Sequence, residues 1–273
     1  MKQGIPLKSG IIYGPVRSRR LGRSLGLNVS PVSYKLCSFN CVYCQYGWTD
    51  VITLDTVPYA GDFPSVDDFA RTLERVLVEQ KSEGIDNITF SGNGEPTLHP
   101  RFADLVDIAA ELKNRYYPAA CLGVLTNSST VIMDKVRTAL EKLDFRIMKL
   151  DAGNMETFQE INRPCPQVDY QAILRYLKSM ADVTLQTMFV DGKFSNIDER
   201  QVVAWIERVG EIKPVKAQIY SLHRPPAASL LKEVPAEKLG EIAARTEFAT
   251  GVSVEVIVAT APYRPHFSEP RQR

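Results

Sequence analysis

Short β-branched runs separated by amphipathic stretches recur along this chain, and that rhythm restricts its fold more than any other feature. The runs fall at 25–29, 88–91, 121–125, 146–150, 183–188 and 215–220, with a further one at 252–258. From 88 onward their starts are spaced by roughly 24 to 38 residues, the length of one strand-plus-helix unit. The intervening stretches carry helix signals. Ser65-Val-Asp-Asp68 reads as a capping box ahead of an apolar face of Phe69, Leu73, Val76 and Leu77, with Gly84 as a stop. Phe102, Leu105, Val106, Ala109 and Leu112 form a second face, and Tyr170, Ile173, Leu174 and Leu177 a third. Asn196 with Glu199 marks another start, followed by Val202, Val203, Ile206 and Val209. Such alternation requires a mostly parallel sheet with right-handed crossovers. The expected fold is α/β: a partial (β/α)6 barrel of parallel strands with a C-terminal extra strand and helix. A flat doubly wound sheet is the competing architecture. In both, ligands bind at the C-terminal ends of the strands.

The 273 residues suffice for one large barrel or two small domains. No interdomain linker is visible, so residues 25–273 are read as one barrel domain, preceded by a basic arm over residues 1–24. Lys plus Arg number 33 against 32 Asp plus Glu, which excludes a strongly basic nucleic-acid binder. The charge is nevertheless unevenly placed. Lys2, Lys8, Arg17, Arg19, Arg20, Arg23 and Lys35 all precede the first acid, Asp50. The arm is either a solvated basic segment or an anion-facing one. No apolar run approaches the ~20 residues of a transmembrane helix. The N-terminus lacks the apolar segment of a signal peptide. The expectation is no membrane association and a cytoplasmic, reducing compartment.

Cysteines occur at 37, 41, 44, 121 and 165. Three of them form Cys37-Ser-Phe-Asn-Cys41-Val-Tyr-Cys44, a C-x3-C-x2-C loop directly after the first strand candidate. Disulfides do not suit a reducing compartment. A structural zinc site is closed by four ligands, and no fourth Cys or His lies nearby, the histidines being at 99, 223 and 266. Zinc with a remote fourth ligand stays open as a non-catalytic alternative. Three thiolates with one open position suit an iron–sulfur cluster, which normally takes four Cys, with one iron left available. Cys121, at the head of an expected buried strand, and Cys165, in a loop, are read as structural.

This motif, with Tyr43 just before its last cysteine, resembles that of the radical SAM superfamily. The resemblance implies that Cys37, Cys41 and Cys44 hold a [4Fe–4S] cluster and that S-adenosylmethionine chelates its fourth iron. An electron from the cluster then cleaves the sulfonium, giving methionine and a 5′-deoxyadenosyl radical that takes a hydrogen atom from a substrate. A reducing partner of flavodoxin or ferredoxin type is implied, and Tyr43 is placed against the adenine.

Other residues at strand ends fit that resemblance. Strand 88–91 runs into Ser91-Gly92-Asn93-Gly94-Glu95-Pro96, which is not a dinucleotide fingerprint. It resembles the superfamily's GGE-type motif, in which Gly94 and Glu95 would contact the cofactor's amino group. Asn127, after strand 121–125, either closes a turn or meets the cofactor's carboxylate or ribose. Gln186 is a ribose or methionine contact. Lys149 and Asp151, two apart on one strand, share a face and need mutual pairing if buried. They form a substrate-side pair, with Asp151 alternatively near the ribose and Lys149 alternatively a Schiff-base amine. His223 and Arg224 lie just past a strand end, where a substrate loop belongs.

The segment Gly14-Pro-Val-Arg-Ser-Arg-Arg-Leu-Gly-Arg-Ser-Leu-Gly26, with the cysteine loop, resembles a branch of proteins near the wyosine tRNA synthases. Those enzymes carry additional N-terminal cysteines, and this chain has none before Cys37. The leading expectation is a radical enzyme acting on a small-molecule or nucleotide substrate, with tRNA modification as an alternative and a structural metal-binding module as the other class.

Overall fold

The computed structural model describes residues 4–18, 21–80 and 84–258. Its centre is one eight-stranded sheet: β1 (Ile12–Ser18), β2 (Gly22–Leu27), β3 (Asn87–Phe90), β4 (Cys121–Thr126), β5 (Phe145–Lys149), β6 (Val183–Met188), β7 (Lys216–Tyr220) and β8 (Val254–Ile257). Spatial order follows chain order without reversal. β1 is antiparallel to β2, and every later neighbour pair is parallel. A doubly wound sheet reverses its order at a switch point. Here every parallel crossover steps the same way, which puts the helices on one face of an open barrel. The expected six parallel strands are β2 to β7, and β8 with its preceding helix is the expected C-terminal addition.

The helices are α1 (Val66–Glu79), α2 (Phe102–Tyr116), α3 (Asp134–Glu141), α4 (Met155–Ile161), α5 (Tyr170–Ser179), α6 (Glu199–Ile212) and α7 (Ala236–Thr250). Strand pleating sorts the side chains. Leu25, Leu27, Ile88, Phe90, Leu122 and Val124 join the core with Phe69, Leu73, Leu105, Val106, Ile173 and Trp205 from the helices. The other face of the strands is polar. Ser24 and Thr89 share a 3.0 Å hydroxyl bond, and Lys149, Gln186, Gln218 and Glu255 stand side by side in register across β5 to β8. A barrel whose concave face is polar is built to hold something other than its own core.

Five local expectations change. Residues 12–18, read as arm, form β1, and Arg17 stands opposite Arg23 in the β1–β2 hairpin. Arg19 and Arg20 lie outside the described residues. Asn196 does not cap α6. Asp198 does, in a capping box with Gln201, while Asn196 is buried and bonds Val190 N, Asp151 O and Met188 O at 2.8 to 2.9 Å. An additional helix, α4, precedes α5. Asn154 caps it through Thr157 N, and the Pro164–Pro166 stretch separates the two. Ser65 caps α1 as expected, accepting from Asp68 N, but α1 stops at Glu79, short of Gly84. Cys121 is exposed rather than buried. Among the described residues no helix is long and apolar enough to cross a membrane.

His99 supplies a pH-dependent element of stability. It is 5% exposed, its Nε2 lies 2.9 Å from Pro64 O, and its Nδ1 accepts from Arg101 N at 3.0 Å. Both contacts are satisfied by one neutral tautomer, with Nε2–H donating. Burial holds its pKa below the ordinary histidine value. A base with a depressed folded pKa adds stability that is present above its unfolded pKa of ~6.5 and lost as pH falls through the folded value. Urea unfolding at pH 7.5 and pH 5 is expected to show a smaller loss on acidification for His99→Gln than for the wild type. Equal losses contradict this.

Candidate active site

The loop carrying the three cysteines leaves the C-terminal end of β2 and is fixed along its length. Leu36–Cys37 pairs in parallel with Val51–Ile52. Asn40 N donates to Asn162 O at 3.0 Å, Val42 N to Ile161 O at 3.0 Å, and Ala228 N to Val42 O at 2.8 Å. Phe39 sits edge-on to Phe158 with ring centroids 5.3 Å apart. The Gly92–Glu95 turn at the end of β3 packs directly beneath it. A Cβ on Gly94 would lie 1.9 Å from Leu36 O, and one on Gly92, whose φ is +155°, would lie 2.2 Å from Asn28 Oδ1. Glycine is required at both because backbone and a buried amide fill the space.

The three thiols sit in a dry, crowded environment. Cys37 is buried and Cys41 and Cys44 are half-buried. Burial pushes the Cys37 thiol up to about 12, against the pull of Lys35. Burial, then Asp151 and Cys44, push Cys41 up to about 11. Lys35 is itself 3% exposed and donates to Gly47 O at 2.8 Å. Burial would lower its pKa, but the cysteines around it, Cys44 foremost, outweigh that and raise it. Two of the thiols also meet a side-chain N–H: Asn127 Nδ2 at 3.6 Å from Cys37 Sγ and Asn162 Nδ2 at 3.5 Å from Cys41 Sγ. Thiols with raised pKa values ionise readily only when a cationic group arrives to compensate them. Among the described residues no three His, Cys, Asp or Glu side chains converge closely enough to hold a single ion. The donor set, three cysteine sulfurs on one loop, has the chemistry that an iron–sulfur cluster takes.

Glu95 is 2% exposed and faces inward. Its Oε1 accepts from Thr97 N at 3.1 Å, Thr97 Oγ1 at 2.5 Å and Thr126 Oγ1 at 2.7 Å, and its Oε2 accepts from Asn127 N at 2.6 Å. Burial raises its pKa, and those four bonds pull against the rise. The carboxylate therefore ties the β3 turn to the β4 turn. Asn127, so held, donates to Ser38 Oγ at 2.8 Å inside the cysteine loop.

Lys149 and Asp151 meet as their spacing requires. Lys149 Nζ lies 3.2 Å from Asp151 Oδ1 and 3.1 Å from Tyr220 OH, with the rings of Tyr43 and Tyr220 at 4.8 and 5.1 Å. Burial would lower the Lys149 pKa, but Asp151 and Tyr220 reverse this and raise it. Lys149 is thus held as the cation of a buried pair. Asp151, whose side chain is fully inaccessible, also accepts from Tyr43 OH, from Asn162 Nδ2 at 2.7 Å and from Met188 N at 2.8 Å. Tyr43 is accordingly turned into the barrel. Gln186 is committed to the polar row, accepting from Tyr220 OH at 3.2 Å and donating to Gln218 Oε1 at 3.2 Å. His223 lines a cavity with Ser221, Glu233, Val234 and Leu239, beside β8. Arg224 reaches back to Gln45 Oε1 at 2.6 Å, next to Cys44. Cys165 is buried, its N–H donating to Ser38 O at 2.9 Å.

Sequence reasoning missed Asn162, Lys35 and Asn93. Asn93, the residue interrupting the two glycines, is fully buried. It exchanges bonds with the Lys8 backbone, 2.6 Å to Lys8 N and 2.9 Å to Lys8 O, and so clamps the N-terminal segment. Lys35 lies two residues before Cys37, and in the sequence alone it is one more base of the acid-free N-terminal segment.

Comparison with known proteins agrees with this geometry. The family model of the Radical SAM superfamily matches residues 32–207. A UPF0026 protein of Methanocaldococcus jannaschii is 31% identical over 86% of this chain and 70% of its own length. A protein of Brachyspira hyodysenteriae named GTPase Obg is 32% identical over 92% of this chain, which spans only 35% of that protein. Among solved structures, a radical SAM methyltransferase from Sphaerobacter thermophilus has a TM-score of 0.60 at 16% identity, covering 87% of this chain and 67% of that one. A structure titled as TYW1 with a lysine-pyruvate adduct bound has a TM-score of 0.54 at 16% identity, covering 84% and 74%. At these identities the structures share the fold, while the family match spans four of the eight strands, β3 to β6, and the whole cysteine loop. This chain is therefore an enzyme of the radical SAM superfamily.

Proposed function

We propose that Cys37, Cys41 and Cys44 hold a [4Fe–4S] cluster whose fourth iron is left to S-adenosylmethionine. The observation that carries this reading is the set of three thiols on one loop, two of them facing a side-chain N–H, at the C-terminal end of a parallel sheet. When bound, the pair supplies a 5′-deoxyadenosyl radical for hydrogen abstraction, fed by a one-electron donor of flavodoxin or ferredoxin type. The protein's part is to orient and to exclude water.

Gly94 lets the turn approach the cysteine loop, and Glu95 fixes that turn to Asn127, so these three bound the cofactor pocket on the β3–β4 side. Tyr43 and Gln186 bound it on the β5–β6 side. Lys149 and Asp151 present a charged pair to the substrate, with His223 and Arg224 on the β7 loop. The substrate we favour is a small molecule or nucleotide. A nucleotide is supported by the loop rim, where the Arg163 guanidinium lies 5.1 Å from the Trp48 ring and 4.8 Å from the Phe194 ring. Planar cationic and aromatic groups of this kind take stacked bases. The same rim keeps tRNA as the second reading.

Anaerobic reconstitution, reduction and addition of S-adenosylmethionine are expected to yield 5′-deoxyadenosine with wild type. Cys37→Ala, Cys41→Ala and Cys44→Ala are expected to yield none above background. If wild type loads iron and sulfide but neither binds nor cleaves S-adenosylmethionine, the cofactor assignment fails. Tenfold stimulation of that cleavage by bulk tRNA and none by mononucleotides favours the tRNA reading over the nucleotide one.

Gly94→Ala forces a Cβ against the Leu36 carbonyl. The expected cost is about 1–3 kcal/mol of stability, measured by chemical denaturation, together with reduced iron loading. Wild-type stability and loading contradict the close-packing role. Glu95→Ala strands four donors, with an expected loss of about 1–3 kcal/mol, whereas Glu95→Gln retains most of the network and loses less.

A further inference from the structure

Two side chains outside the cysteine motif bring an N–H to its sulfurs and a buried cation accompanies them, and the three come from different parts of the fold. Lys35 lies in the loop before Cys37, Asn127 in the turn after β4, and Asn162 at the C-cap of α4. Both amides have a fixed orientation. Asn127 Oδ1 accepts from Ser129 N at 3.0 Å, and a backbone N–H can only donate, so the amide nitrogen must face Cys37 and Ser38. Asn162 Nδ2 lies 2.7 Å from the Asp151 carboxylate, which can only accept when ionised, and turning that amide would set oxygen against oxygen. Lys35, 3% exposed, is held by Gly47 O at 2.8 Å, and its charge acts on Cys44 and Cys37. Nothing in the folding of the β-sheet requires donors at two of the sulfurs and a buried cation in the same loop.

Hydrogen bonds to the sulfurs are a main determinant of the reduction potential of an iron–sulfur cluster. A donor withdraws electron density from the thiolate and stabilises the more negative, reduced form. We propose that Lys35, Asn127 and Asn162 are the positioning residues that set the potential of the cluster carried by Cys37, Cys41 and Cys44. This rests on the cluster reading above. It gives Asn127 a task toward the cysteine sulfur rather than toward the S-adenosylmethionine carboxylate.

The test is a potentiometric titration of the reconstituted full-length chain, followed by the electron paramagnetic resonance signal of the reduced cluster. Wild type is compared with Asn127→Leu, Asn162→Leu and Lys35→Met, which delete the donors at similar volume. Each is expected to weaken reduction about tenfold in its equilibrium constant, a fall of ~59 mV for one electron. The iron–thiolate stretch in resonance Raman is expected to rise in the same variants. The signal reports only loaded molecules, so a partly loaded variant still yields its potential. Asn127→Asp, which keeps an acceptor for Ser129 N and replaces the donor by a negative charge, serves if a Leu variant loads no iron. It is expected to fall further than Asn127→Leu. Loaded variants with wild-type potentials and unshifted stretches overturn the assignment while leaving the cluster reading intact. A wild type that takes up no iron and sulfide overturns both.

Discussion

The buried carboxylate of Asp151 is the interaction on which the arrangement depends. Its side chain is wholly inaccessible, yet it meets Lys149, Tyr43, Asn162 and the N–H of Met188. Those partners belong to β5, the cysteine loop, the end of α4 and β6. One carboxylate thus ties the loop that carries the thiols to the polar face of β5 and β6. Burying such a charge is costly unless every lone pair is used, and removing one partner of a buried pair typically costs about 3–5 kcal/mol. The network is therefore stiff: its members stay together or the local structure fails. A radical generated nearby needs that stiffness, because water or a misplaced side chain would intercept it.

The Gly92–Glu95 turn does the same work on the other side of the site, one residue at a time. Gly92 accommodates Asn28, Asn93 clamps the Lys8 backbone, Gly94 accommodates the Leu36 carbonyl, and Glu95 holds Thr97, Thr126 and Asn127. The departure from a plain Gly-Gly-Glu pattern therefore has a structural reason. The inserted asparagine fastens the N-terminal segment onto the barrel. Glu95 accepts four bonds from the protein's own donors, which fixes the turn that carries it.

Most of the sheet was legible from the chain because period-two apolar runs and βα spacing are local signals. Strand 183–188 matches Val183–Met188, and the others differ by a few residues at their ends. β1 was not legible because its residues, Ile-Tyr-Gly-Pro-Val-Arg-Ser, alternate weakly and are dominated by charge nearby. α4 was missed because it is a seven-residue helix with a single cap signal at Asn154. The cysteines could be read because their spacing is itself the information. Lys149 and Asp151 could be read because a strand places residues two apart on one face. Asn162 could not, since its meaning comes from lying beside Cys41 and Asp151, neither of which is near it in the α4–α5 loop. Gln186 was placed on the correct face, but its commitment to Tyr220 and Gln218 depends on strand register.

The central claim is that the three thiols carry a cluster with one iron open to S-adenosylmethionine. Mössbauer spectroscopy of protein reconstituted anaerobically with enriched iron tests it most directly. The account predicts about four iron and four sulfide per chain, the composition of a [4Fe–4S] centre. Addition of S-adenosylmethionine should change the spectrum of one iron site and leave the other three. A single metal ion per chain, or a cluster whose four sites are all indifferent to S-adenosylmethionine, would contradict it.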